Sequence, residues 1–177
     1  MPTPVSHLAV GFAVAAWAQP GVPSRRVCVI AAACAGLPDI DVLGAALPGV
    51  DASLFGHRAI THSLAFAILA AALATSLFFR SEQWAQSRLR IGLILGLASL
   101  SHGCLDALST YSTGLEFFAP LSQQRFRFPW TPLGNPHWSL GAQLGQEAVF
   151  VFLPAVLLAW SAFKLRRGQV SPRPAAA

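Results

Sequence analysis

Charge is what this 177-residue sequence has least of. Only 11% of its residues are Asp, Glu, Lys or Arg, against about 25% in ordinary soluble domains. With 54% hydrophobic residues and a mean hydropathy of +0.55, the chain reads as an integral membrane protein. Three cysteines, Cys28, Cys34 and Cys104, form no CxxC or paired framework; Cys28 and Cys34 read as small apolar helix residues. GxSxG, HExxH and Walker motifs are missing, as are internal repeats, which excludes the common serine-nucleophile, zincin and P-loop chemistries. No Lys or Arg precedes the first apolar run, while Arg25 and Arg26 follow it. That order is the reverse of a secretory signal, so no cleavage is expected at Ala16-Trp17-Ala18 despite its small-x-small form. The isoelectric point of about 10.1 does not point to nucleic acid, because the basic residues sit at segment ends and build no basic, aromatic-interleaved face.

What is present is a series of about five apolar segments: Val5 to Ala18, Arg26 to Leu37, Thr61 to Phe79, Leu89 to Ser109 and Gln146 to Leu165. The predicted fold class is all-α, a polytopic membrane bundle with a polar metal cluster at one end. Residues 1–167 form one domain, and 168–177 form a Pro/Ala-rich disordered tail. Segment one is capped by Thr3 or Ser6 and is short for a span of about 20 residues. Val42 to Leu47 forms a further turn, Thr61 caps segment three, and Pro154 kinks segment five. If the segments alternate sides, Arg25, Arg26, Arg80, Arg88, Arg90, Lys164, Arg166, Arg167 and Arg173 fall on one side and Arg58, Arg125 and Arg127 on the other. The positive-inside rule makes the first side cytoplasmic.

The same alternation puts every histidine (His7, His57, His62, His102, His137) and every aspartate (Asp39, Asp41, Asp51, Asp106) on the outer side. His102 and Asp106, at i and i+4, share a helix face. Asp39 and Asp41 follow Pro38 and can converge in a turn. His57 and His62 flank the start of segment three. Mixed Asp/His donors suit Zn²⁺, Mn²⁺ or Fe²⁺, and the number of candidates suggests two ions, with a metal-activated water as nucleophile. Arg58, between the histidines, either binds an anionic substrate or pairs with an aspartate. Thr61, Ser63, Ser101 and Ser109 are candidates to orient ligands. Glu116 and His137 are weaker ligand candidates, Asp51 reads as solvated, and Glu147 reads as a helix N-terminal charge. The Arg125-Phe126-Arg127-Phe128 stretch reads as a segment on the bilayer, its aromatics dipping and its arginines near phosphates.

Leu37-Pro38-Asp39-Ile40-Asp41, Gly56-His57-Arg58-x-x-Thr61-His62-Ser63, Ser101-His102-x3-Asp106 and Arg125-Phe126-Arg127-Phe128-Pro129, in that order, resemble the YdjM-like, LexA-regulated bacterial inner-membrane proteins. The resemblance covers residues 7 to about 130. It implies a metal-dependent hydrolase related to the zinc-dependent phospholipase C and nuclease superfamily, with phosphate-ester hydrolysis as its reaction class. It also implies His7, Asp39, Asp41, His57, His62, His102 and Asp106 as ligands. Joined to the residue reading, it predicts an inner-membrane phosphoesterase with its metal site on the periplasmic face, acting on lipid or lipid-linked substrates, in which Asp41 and Arg58 carry catalytic roles. The rivals are a metal-ion transporter or sensor and a phosphohistidine lipid phosphatase. The transporter would need a polar path that segments three and five do not offer. The phosphatase shares His-x3-Asp, but its Pro-Ser-Gly-His motif is missing here.

Overall fold

The computed structural model describes residues 2–44, 56–110, 113–135 and 137–167. The predicted tail, Asp51 and the end of the Val42–Leu47 turn lie outside the described residues. Helix α1 (Pro4–Ala18) opens on a proline, where a missing N–H removes no helical bond. Helix α2 (Arg25–Gly36) stops short of Pro38, and the chain tightens into a 3₁₀ turn over Leu37–Ile40 before the short α3 (Asp41–Gly44). A second 3₁₀ turn, Ile60–His62, leads into α4 (Leu64–Phe78), and α5 covers Arg88–Ala107. The last helix, Leu140–Arg167, is 28 residues long. It consists of α6 (Leu140–Glu147), a π-helical turn over Ala148–Phe152, and α7 (Leu153–Arg167). The wide turn lies just ahead of Pro154, whose ring lacks an N–H and crowds the carbonyl four residues back, so it absorbs the predicted kink.

Two boundaries differ from the sequence reading for capping reasons. Helix α4 starts at Leu64 and not at Thr61, because Ser63 is the cap: its Oγ accepts the Phe66 N–H at 3.1 Å. The last helix starts at Leu140 and not at Gln146, with Ser139 Oγ accepting from the Ala142 N–H. Glu147 therefore lies far from the helix start, and its N-terminal role is corrected. Its carboxylate accepts the Thr3 N–H and the Thr3 hydroxyl, tying the head of α1 to the last helix.

Helix α1 packs on α2, α5 and α7, and α5 packs on α1, α2 and α4. The seams are small: Ala13, Ala16, Ala31, Cys28, Ala71, Ala98, Ala155 and Ala159 lie in the core. Large residues point outward instead, including Ile68, Leu69 and Leu73 of α4, Leu89 and Leu93 of α5, and Phe150 and Trp160 of the last helix. Small residues inside and large apolar residues outside suit lipid, where helices gain by close approach. Gly11 is the tightest case: a Cβ there would stand 2.4 Å from the Ala35 Cβ. Among the described residues two helical stretches, Glu82–Ala107 and Leu140–Arg167, are long and apolar enough to cross a membrane, while α1 and α4 are shorter.

The two ends of the bundle differ chemically. At one end Arg26 donates to the Phe78 carbonyl at 2.6 Å, Arg88 to Phe79 at 3.0 Å, and Arg166 to Ala16 and Trp17 at 2.9 and 2.8 Å. These bonds close the last turns of α4 and α1, where carbonyls lack intrahelical partners. The other end, at the start of α1 and the finish of α5, gathers the polar residues.

Candidate metal centre

Helix α1 contributes His7 and α5 contributes His102 and Asp106, all three fully buried. The turns after α2 bring Asp39 and Asp41, and the 3₁₀ turn before α4 brings His57, Arg58, Thr61 and His62. All seven predicted ligands and Arg58 therefore meet in one place. Six of the seven form two adjoining triads, His7–His102–Asp106 and Asp39–His57–His62, within each of which one ligand atom per residue lies within 4.8 Å of the others.

Hydrogen bonds fix which ring nitrogens face inward. The His102 Nδ1 is 2.8 Å from the Ala35 carbonyl; a carbonyl only accepts, so Nδ1 carries the proton and Nε2 keeps its lone pair. Sequence reasoning missed this contact. Its signal was Pro38, which ends α2 and leaves the carbonyls of the last turn without helical partners. On the other side Asp41 lies behind two further histidines: Oδ1 is 2.9 Å from His57 Nδ1, and Oδ2 is 3.3 Å from His62 Nδ1. The Thr61 hydroxyl and the Arg58 N–H donate to the same Oδ2 at 2.9 and 3.1 Å. Asp41 thus lies at the backs of His57 and His62, outside both triads. Burial alone would raise its pKa, but the bonds from His57, His62 and the Arg58 N–H outweigh it and hold the group well below the usual carboxylate range. The same carboxylate raises the pKa of the partly exposed His57.

With Nδ1 committed, the Nε2 atoms of His62 and His102 face each other at 3.0 Å. Two lone pairs at that distance repel, so a proton on one of the rings or a metal ion must lie between or beside them. Acidic oxygens surround them: Asp39 Oδ1 is 3.5 Å from His102 Nε2, Asp106 Oδ2 is 3.8 Å from His62 Nε2, and Asp106 Oδ1 is 3.5 Å from His7 Nε2. Both ring nitrogens of His7, both oxygens of Asp39 and Asp106 Oδ1 are buried without a hydrogen-bond partner among the described residues. Such burial costs several kcal/mol in the absence of compensation. Ligand atoms about 2.0–2.2 Å from a tetrahedral ion lie roughly 3.3 Å apart, close to the separations found here. The donor set fits a divalent metal.

Arg58 makes the aspartate pairing, one of its two expected roles: its Nε donates to Asp106 Oδ2 at 3.1 Å, and the side chain is buried. It holds φ = 69°, a left-handed conformation that costs a non-glycine residue about 1–3 kcal/mol. That conformation aims its N–H at Asp41 while its side chain reaches Asp106. The loop at 113–135 roofs the site. Its Glu116 N–H donates to the Arg58 carbonyl at 3.2 Å, and its Phe117 carbonyl accepts from Leu64. Glu116 pairs with Arg125 at 3.1 Å and lies outside both triads. His137 is exposed and outside the cluster. Of the serines, Ser63 caps α4 and Ser101 bonds the Ala98 carbonyl.

The fold and this site define a class: an all-α membrane protein with a buried His/Asp cluster at one end of the bundle. The match to the family model of the YdjM inner membrane protein covers residues 1–168, and the chain belongs to that family. It is 32% identical over 167 residues to the "Inner membrane protein YbcI" of Escherichia coli (strain K12), covering 89% of this chain and 95% of that protein. The inner membrane is accordingly its location. No solved structure matches.

Proposed function

We propose that this protein is a membrane-bound, metal-dependent hydrolase of phosphate esters, acting on lipids or lipid-linked molecules. The observation that carries the reading is the buried set of unpartnered donor atoms on His7, Asp39 and Asp106 around the facing His62 and His102 nitrogens. Zinc, or alternatively manganese or iron, would be held by His7, His102 and Asp106 in one triad and by Asp39, His57 and His62 in the other, two ions in all. Bound there, such ions supply an activated water near neutral pH and neutralise developing charge on the phosphoryl group. The chain's own residues do the positioning. Asp41 keeps the Nδ1 protons of His57 and His62 turned away from the ions, and the Ala35 carbonyl does the same for His102. Arg58 orients Asp106 and adds a permanent positive charge that attracts an anionic phosphate. The loop that roofs Arg58 limits water on that side.

We further propose that the bundle crosses the membrane several times, with the cluster on the periplasmic side. The support is the predicted placement of nine of the twelve basic residues on the other side. For the lipid character of the substrate, the support is an apolar groove of about 730 Å³ between α1, α5 and the last helix. Its lining includes Val10, Leu105 and Leu108, near His7 and Asp106 in sequence, and it extends to Trp17 and Leu158. Such a groove suits an acyl or isoprenoid chain while the phosphate stays at headgroup depth.

The test is elemental analysis of protein extracted in mild detergent, followed by a panel of phosphoester and lipid substrates. Stoichiometric metal and phosphate release, both lost in His102→Ala and reduced in Asp41→Ala, are the expected results. Protein without stoichiometric metal would refute the reading. Metal flux into proteoliposomes with no hydrolysis would replace it with transport.

A further inference from the structure

A second groove, independent of the metal centre, lies toward the opposite end of the bundle between α1, α2 and α7. Its volume is about 750 Å³, within the range of ligand-sized sites. Phe12, Val29 and Phe163 form apolar walls, and Arg25, Lys164 and Arg167 also line it. The state of these cations sets them apart from their neighbours. Arg26, Arg88 and Arg166 are spent on helix-end carbonyls. Arg25 and Arg167, in contrast, make no hydrogen bond or ion pair among the described residues, and Lys164 has only the face of Trp160, with Nζ 5.2 Å from the ring centroid. No acidic residue lines the groove. Three cations converging from two helices on an apolar trough, in a membrane protein, form a charge pattern complementary to one phosphate and its attached hydrocarbon.

We propose that this groove is a binding site for an anionic phospholipid of the surrounding membrane. The acyl chain lies against Phe12, Val29 and Phe163, and the headgroup phosphate is held by Arg25, Lys164 and Arg167. The site is distinct from the substrate groove, because it opens between other helix faces and lies toward the far end from the His/Asp cluster. The lipid joins α2 to α7 at the end where helix-end bonds tie α1 to α7 and α2 to α4.

Trp160 lines the groove and reports on it directly. The full-length protein is placed in phosphatidylcholine nanodiscs doped with brominated phosphatidylglycerol or brominated phosphatidylcholine. The Trp160 signal is taken as the difference from Trp160→Phe. The anionic lipid should quench it with an apparent affinity about tenfold higher, since each basic residue near the headgroup adds attraction, and the preference should weaken in high salt. The triple variant Arg25→Gln/Lys164→Gln/Arg167→Gln should bring the two lipids to equal quenching. All three side chains are exposed, so folding, followed by circular dichroism, should be unchanged, and each single variant should remove part of the preference. Equal quenching by the two lipids in the wild-type protein, or a preference that survives in the triple variant, overturns the proposal. Metal content is not part of the readout, so this test stands or falls separately from the hydrolase reading.

Discussion

Gly11→Ala tests how helix packing sets the proposed metal centre. The added Cβ would lie 2.4 Å from the Ala35 Cβ and 3.0 Å from the Ala31 carbonyl oxygen. Non-bonded carbons prefer about 3.5–4.0 Å, so α1 and α2 must part by roughly 1 Å or more at this level. Overpacking of this kind costs about 1–3 kcal/mol, and at about 2–4 °C per kcal/mol for a domain of this size the melting temperature should fall by several degrees. The displaced residue, Ala35, carries the carbonyl that holds His102 Nδ1 at 2.8 Å. Metal affinity should therefore fall with stability, by about tenfold or more if the loss of an orienting contact is the guide. The control is Gly96→Ala, whose new Cβ would meet Ala71 at an ordinary 3.8 Å. It should be neutral or slightly stabilising, because alanine is the better helix former by about 1 kcal/mol. Thermal unfolding in detergent and metal titration read both variants. Equal melting temperatures and equal affinities for Gly11→Ala and the wild type would refute the close approach of α1 to α2 and its link to the site.

Asp41→Asn should weaken metal binding by about 10–100-fold while leaving stoichiometry intact at saturating metal, because Asp41 holds the backs of His57 and His62 and stays outside both triads; loss of a whole equivalent under saturation, measured by elemental analysis, would make it a ligand instead. A double-mutant cycle on Arg58→Met and Asp106→Asn, read by unfolding of chelated protein, should give a coupling of about 1–3 kcal/mol for the buried contact between them. Ser63→Ala should lower stability by about 1 kcal/mol through the lost cap of α4, whereas Thr61→Ala should act mainly on metal affinity, since its hydroxyl serves Asp41.

The polar half of the molecule was readable because polarity is rare in this chain. In a sequence with 11% charge, each Asp or His buried in an apolar bundle needs a partner, and placing segments on alternate sides brings His7, Asp39, Asp41, His57, His62, His102 and Asp106 to one end. What stayed hidden was carried by backbone. The Ala35 carbonyl has no side-chain signature, and the left-handed turn at Arg58 puts one residue in contact with Asp41 through its N–H and with Asp106 through its side chain. Spacing could not separate Asp41 from Asp39, although they are two residues apart: the 3₁₀ turn over Leu37–Ile40 sends Asp39 to His102 and leaves Asp41 behind His57 and His62. The start of the last helix was missed for a related reason. The Ser139 cap sits among the loop's prolines and aromatics, where no apolar periodicity announces a helix.

The apolar half explains why such a cluster can exist in a membrane bundle at all. His7 and His102 stack with ring centroids 3.7 Å apart, although they come from different helices. That distance requires α1 and α5 to approach closely, and the seams allow it because Ala13, Ala16 and Ala98 are small and Gly11 lets α2 close in from the other side. Larger residues in these seams would separate the helices, and His7 would lose Asp106 before any ligand was mutated. The alanine-rich interior and the His/Asp end thus depend on one another. Small side chains give the proximity that places these polar atoms together, and burying them carries a cost that small-residue packing alone does not offset.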